Sequence, residues 1–363
     1  MSDPTRTAAS PGAEAPALAD WDLARRVATH VAAGARPRPT RAEAARLRGQ
    51  LHQIVAEVEP EVRAATDLGH DLPRPTVRVV GRSGWVRANL AALAWLTAPV
   101  AQQLLERSPV GREVAQRVYA VQLGAVLGYL ATRVLGQYEV LRPGGAPGRL
   151  LLVGPNLLGA ERTAAEQGLD AEAVQRGVVA HELAHHLQFE GVPWLREELT
   201  TIVEGYLADV QVDRDRVREL ARRVPELIAD PTRLRDPSAW LELLLTPQQS
   251  ALLERAQSLM SLLEGHGNAA MDWTAARDPR VADPAAVRQL LQRRREQAVD
   301  RVVRDALGLS MKAKQYRVGE RFVLDVADRH GLAALNRVWA GPEHLPTAEE
   351  LEDPDAWVGR VAA

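Results

Sequence analysis

The segment His181-Glu182-Leu183-Ala184-His185 has the residue types and spacing of a metal-dependent hydrolase. Residues four apart share one face of an α-helix, about one turn from each other. Two imidazoles so placed can hold one metal ion. Glu182, beside the first, can reach a water in the open coordination position. The chemistry that suits this HExxH pattern is zinc hydrolysis: His181 and His185 as ligands, and Glu182 taking a proton from the zinc-bound water. The bland alternative is a solvated His/Glu helix face, and the flanks oppose it. Asp170 is a candidate N-cap, Glu172 suits a first turn, and Gly191 with Pro193 supplies a stop. Between them Val174, Val178, Val179, Leu183 and Leu187 place the motif mid-helix among core residues. His186 points about 100° away from His185. It is expected as a supporting or surface residue, not as a ligand.

Catalytic zinc usually takes three protein ligands and a water. The longer pattern HExxHxxGxxH is absent, because Gln188 and Gly191 occupy the glycine and histidine places. The third ligand is therefore expected to be a carboxylate, and two compete. Glu204 follows His185 after 18 intervening residues, which resembles the spacing of aminopeptidase-type gluzincins. Glu264 lies in Leu262-Leu263-Glu264-Gly265-His266-Gly267-Asn268. Both sit in apolar helical patterns, where a carboxylate is costly unless a cation pairs with it. The alternative for each is a surface or salt-bridged glutamate.

A chain of 363 residues with 46% apolar content is long enough for a large core. The net charge of −2 offers no electrostatic case for nucleic acid. The Arg293-Arg294-Arg295 run reads as a surface helix turn. The absence of cysteine excludes disulfides, thiolate metal sites and cysteine nucleophiles. With no basic-then-apolar signal pattern, a cytoplasmic location is expected. Residues 1 to 17, rich in Ala and Pro, read as a disordered tail, and 18 to 363 as one domain. Two apolar stretches, Ala88 to Ala101 and Val118 to Leu135, are too short or too polar for membrane spans. Gly124 and Gly128 within the second point to close helix packing.

The elements that must position the motif follow from local patterns. Two helices are expected over 20 to 66, split at Arg36-Pro37-Arg38-Pro39, the second opened by a Thr40/Glu43 capping box. Thr76 to Val80 reads as a short strand, and Ser83–Leu96 and Gly111–Leu135 as helices. A hairpin pairs Gln137–Leu141 with Arg149–Val153 across a Pro/Gly turn, and Pro155-Asn156 ends its second strand. Such a strand beside the HExxH helix can hold an extended substrate by backbone pairing. Helices follow to about residue 340. The last segment, with Pro342, Pro346 and Pro354, reads as a loop packed down by Trp339 and Trp357. The fold class is mainly α, α+β in detail, with a small antiparallel sheet beside the HExxH helix.

Several segments resemble a family of zincin-like hydrolases common in actinobacteria and associated with deazaflavin-coenzyme biosynthesis. They are Asp20–Ala24, Gly84–Asn89, Leu135–Tyr138, Leu152–Asn156, His181–His185, Pro193–Arg196, Leu263–His266 with Met271-Asp272, Lys314–Phe322 and Leu345–Thr347. The resemblance implies a zincin-like metallopeptidase fold with Zn2+ as cofactor. Its Leu-Glu-Gly-His motif favours Glu264 over Glu204. Gly177 departs from it, standing where a bulky residue is expected. His266 could donate to a developing oxyanion or act as a buttress, and Tyr316 could do the same or be a core tyrosine. Asp272 could orient a ligand. Trp194 and Arg196 are expected to shape the turn after the active-site helix. The reading is a zinc hydrolase, in particular a metallopeptidase acting on a peptide or protein, with no nucleic-acid or membrane partner. The alternative is a non-catalytic scaffold linked to deazaflavin metabolism. The intact Glu182 argues against it, since a scaffold has no need of that carboxylate. The chain also has no Gly-rich phosphate loop that would suit coenzyme synthesis.

Overall fold

The computed structural model describes residues 17–106, 108, 111–208, 247–294 and 314–362. The tail expected over 1 to 17 lies outside them but for Ala17. Local signals set the first helices. Helix α1 (Trp21–Ala33) starts where the Asp20 carboxylate accepts the Leu23 N–H at 2.8 Å. Helix α2 (Arg41–Thr66) starts at the reciprocal Thr40/Glu43 box. Then come β1 (Val77–Val80), α3 (Arg82–Thr97), α4 (Ala101–Glu106), α5 (Arg112–Leu130), β2 (Gly136–Glu139) and β3 (Arg149–Val153). Helices α6 (Gly154–Glu166), α7 (Ala171–Gly191), α8 (Leu195–Ala208) and α9 (Pro247–Ala275) follow. Beyond them lie α10 (residues 284–294), α11 (Lys314–His330) and a tail of short helical turns closed by the helix Pro354–Ala362.

Three expectations need correction. The last segment, expected as a loop, is helical over Ala348–Glu352 and Pro354–Ala362, the first of these opened by a Thr347/Glu350 capping box. Pro155-Asn156 does not merely end a strand: it stands in the first turn of α6, an additional helix ahead of α7. Proline suits that place because its missing N–H has no partner there anyway. The sheet is mixed, not antiparallel throughout, with strand order β1-β3-β2. The β2–β3 hairpin is antiparallel as expected, but β1 pairs with β3 in parallel, Val77 opposite Leu150 and Val80 opposite Val153. The helices α3 to α5 supply the long connection that a parallel pair requires.

Strand β3 is central and covered on both faces, which is why Leu150-Leu151-Leu152-Val153 is a continuous apolar run. Leu150 and Leu152 pack with Leu47 and Leu51 of α2 and Val179 and Leu183 of α7. Leu151 and Val153 pack with Ala24, Trp85 and Ala120 of α1, α3 and α5. The Gly124/Gly128 pair packs helices as expected: a Cβ on Gly124 would lie 2.6 Å from the Ala24 carbonyl oxygen, and one on Gly128 2.7 Å from that of Ala28. Among the described residues no helix is long and apolar enough to cross a membrane. Trp339 and Trp357 are buried and pin the tail, the Trp357 indole donating to the His344 carbonyl at 2.7 Å.

Helices α9 and α11 cross in backbone contact. A Cβ on Gly319 would sit 2.0 Å from the Ser261 carbonyl oxygen, and one on Gly265 2.4 Å from the Gly319 carbonyl carbon. Neither neighbour is a side chain that can swing aside. Gly319→Ala is therefore expected to cost about 3 kcal/mol in denaturant unfolding. Gly359→Ala, with open space around it, should leave stability within error. Equal stability of both variants would mean that the crossing is looser than described.

Candidate metal centre

Helix α7 begins at Asp170, whose carboxylate accepts the Glu172 N–H at 3.0 Å, and runs 21 residues to Gly191. Both the N-cap and the stop fall where the sequence places them. The helix is buried along almost its whole length, between the sheet and α2 on one side and α9 on the other. That burial removes the solvated-face reading of the motif.

The Nε2 atoms of His181 and His185 stand 3.2 Å apart, with the rings edge to face. Glu264 comes from α9. Its Oε2 lies 3.5 Å from the His181 Nε2 and its Oε1 3.7 Å from the His185 Nε2. One ligand atom from each of the three lies within 4.8 Å of the others, a group that could hold a metal ion. His181 is buried and the other two are half-buried, so one side of the group faces outward. The competing Glu204 is exposed on α8 and is not in this group. Its helix is partly apolar, but its own position faces out.

The donor set fits zinc. Nitrogens about 2.05 Å from one tetrahedral ion are about 3.3 Å apart, close to the spacing of the two imidazoles. The tautomer fits as well. Fully buried Gln188 donates through Nε2 to the Leu263 carbonyl at 3.2 Å and to His266 Nδ1 at 2.9 Å. A flipped amide would set oxygen against that carbonyl, so Oε1 faces His185 Nδ1, at 2.8 Å. The His185 Nδ1 therefore carries the proton, and Nε2 presents its lone pair toward Glu264.

His266 is wholly buried, edge-on to the rings of Trp273 and Trp339. Burial, with a smaller push from His185, drives its pKa down to about 3, so it is neutral. Of its two expected roles, the position fits the buttress. His186 is buried too, not at the surface. It points away from the other histidines toward the Tyr138 hydroxyl and the Pro73 carbonyl oxygen, each at 3.3 Å, and burial lowers its pKa. Tyr316 falls in the first turn of α11, and its side chain lies outside what is described. Asp272 pairs with Arg288, which also binds Glu320, and Glu320 accepts from Asn268 at 2.9 Å. It thus ties α9, α10 and α11 together and has no contact with the histidines among these bonds.

Two glycines and a glutamate complete the surroundings, and the sequence reading passed over all three. A Cβ on Gly267 would lie 2.8 Å from His181 Cε1, so α9 gives way where that ring stands. A Cβ on Gly136, at the start of β2, would lie 2.7 Å from Glu182 Cγ, so strand β2 runs along the general-base candidate. Glu190 accepts from the Tyr138 hydroxyl at 2.7 Å, from the Gly148 N–H at 3.0 Å and from Arg196. Arg196 also donates to the Val140 carbonyl, and the Trp194 indole to that of Trp339 at 2.9 Å. Glu190 and Arg196 fix the turn after α7 to the hairpin, and Trp194 fixes it to the C-terminal tail, as expected of residues that shape that turn. At the departure point Gly177, a Cβ would stand 3.2 Å from Leu291 Cδ1 and 3.3 Å from Val287 Cγ1. Helix α10 packs tightly there in place of a side chain. Gln188 was findable: it is one turn from His185 on the same helix face.

The chain matches the zincin-like metallopeptidase family over residues 19–358, and it belongs to that family. It is also similar to a crystal structure from Chloroflexus aurantiacus described as a "putative hydrolase with a novel fold". The two are 29% identical, the match covers 95% of this chain and 99% of the other, and the TM-score is 0.69. No curated protein matches the sequence. The family implies a metal ion, and the His181–His185–Glu264 group is of a kind that could bind one.

Gln188→Leu keeps the volume but removes both hydrogen-bonding ends of the amide. It is expected to weaken zinc binding about 10- to 100-fold in competition with a fluorescent chelator. His52→Ala, an exposed histidine on α2, should bind as the wild type does. Unchanged affinity in Gln188→Leu would reduce Gln188 to a packing residue.

Proposed function

We propose that this chain is a zinc-dependent metallopeptidase, with His181, His185 and Glu264 as ligands and Glu182 as general base. The observation that carries the reading is the convergence of one carboxylate and two imidazoles within 4.8 Å, beside a Glu182 that no ligand role consumes. Zinc held there would lower the pKa of a coordinated water and polarise a carbonyl. In this reading Glu182, next to His181 in the chain, takes a proton from the attacking water and returns it to the leaving amine. Its pocket against Gly136 limits the carboxylate's freedom, since any larger residue at 136 would displace it. Strand β2 lies at the edge of the sheet, its far side unpaired among the described strands. An extended peptide could add to that edge, its backbone held by main-chain hydrogen bonds next to Glu182. This geometry supports a peptide over a small ester or amide.

Metal analysis of the purified protein tests the site. About one zinc per chain is expected, lost in Glu264→Ala and kept in Glu204→Ala. The opposite pattern would move the third ligand to α8, and no zinc in the wild type would end the hydrolase reading. Glu182→Gln tests the base. It should keep its zinc while hydrolysis of a peptide library falls at least about 100-fold. Loss of zinc in that variant would make Glu182 a structural residue.

A further inference from the structure

Most of the strongly held arginines have acidic partners. Arg176 meets Asp278 and Glu57, Arg288 meets Asp272 and Glu320, and Arg360 meets Glu350. One group departs from this. A cavity of about 370 Å³ between the sheet and α3 is lined by Arg78, Arg87, Arg142 and Arg149. Side chains alternate along a strand. Leu151 lines this cavity, while its neighbours Leu150 and Leu152 pack toward α7. The cavity therefore lies on the face of the sheet opposite the metal centre. Arg78 projects from β1, Arg87 from α3, Arg149 from β3 and Arg142 from the hairpin. The lining contains a single carboxylate, that of Glu139. It pairs with Arg149, directly across the hairpin, and with Arg142 at 3.7 Å. Arg78 and Arg87 have no acidic partner among the described residues. Four guanidinium groups thus face one carboxylate, in a chain whose net charge is −2.

We propose that this cavity binds a small molecule carrying two or more phosphate groups. Guanidinium groups grip phosphate oxygens two at a time, and those projecting from paired strands and a helix need little ordering. Glu139 holds Arg149 and Arg142 in place and leaves Arg78 and Arg87 to the ligand. Val80 and Leu151 give the cavity an apolar floor for the uncharged part of such a molecule. The small size of the pocket, about 370 Å³, and the net charge of −2 favour a small anion over nucleic acid. This assignment stands apart from the metal reading, since none of its residues belongs to that site.

The experiment is isothermal titration with tripolyphosphate at about 0.15 M salt, where surface charge is screened beyond about 8 Å. Saturable binding of one tripolyphosphate per chain is expected. The double variant Arg78→Ala/Arg87→Ala should lose at least about tenfold in affinity, and Arg87→Lys, which keeps the charge but not the fork, should also weaken it. The pair Arg26→Ala/Arg48→Ala removes two exposed arginines from α1 and α2 and should leave binding unchanged. Citrate should bind several-fold more weakly than tripolyphosphate. The proposal is overturned by no saturable heat at millimolar tripolyphosphate, by equal losses in both double variants, or by citrate binding as tightly. The four substituted arginines are exposed, so unchanged thermal melts are expected to accompany every variant.

Discussion

The centre depends on how closely α9 can approach α7. Two imidazoles on one helix are a common surface feature. They become a metal-binding group when a carboxylate from another helix reaches both, and here that approach is set by glycine. Gly265 and Gly267 are two residues apart, so they face roughly opposite sides of α9. Gly267 receives the His181 ring and Gly265 receives the backbone of α11. Helix α9 is thereby held between α7 and α11, close enough at these two points that it carries no side chain of its own there. Glu264, three residues before Gly267, falls on the α7 side as a result. Bringing a half-buried carboxylate to two imidazoles gains little unless a cation joins them. The architecture commits two helix crossings to that placement.

The sheet does the corresponding work for Glu182. Because β3 is covered on both faces, it divides the molecule into one core against α2 and α7 and another against α1, α3 and α5. An edge strand normally invites unwanted pairing. Here the edge, β2, is four residues long, and Tyr138 anchors it through Glu190 to the end of α7. The same glutamate holds Arg196, at the start of α8. The general-base candidate, the edge strand and the turn after α7 are therefore tied to one another.

What was legible in the sequence was local. The Asp170 cap, the Thr40/Glu43 box, the hairpin and the HExxH helix depend on residues within a few positions of each other, and all appear in the structure. The parallel pairing of residues 77–80 with 150–153 depends on contacts some 70 residues apart in the chain and left no local trace. Helix α6 was hidden by Pro155, which reads equally as the end of a strand or the first turn of a helix. Glu204 and Glu264 could not be separated by apolar context, because the neighbours of an exposed helix position are as apolar as those of a buried one. Exposure separates them, and exposure depends on which helices meet. Gln188 breaks a longer zinc motif, and the same spacing makes it the support for His185.

Gln188 also shows how the chain orients a lone pair without a charged partner. A supporting carboxylate would bring a negative charge next to Glu264, in a pocket where His266 is already forced to stay neutral. An amide avoids that, but it can be turned either way, so something must fix its direction. The Leu263 carbonyl and the neutral His266 Nδ1 both accept hydrogen bonds, and together they take both N–H groups of Gln188. The amide oxygen is then left for His185, and the proton on that ring is forced to Nδ1. His266 can act as acceptor because burial between Trp273 and Trp339 keeps it unprotonated. Residues 263 to 266 of α9 thus supply the carboxylate and, through Gln188, the orientation of the imidazole facing it. That dual use explains why the Leu-Glu-Gly-His stretch acts as one unit, with the aromatic residues around His266 as much a part of the centre as the residues at its mouth.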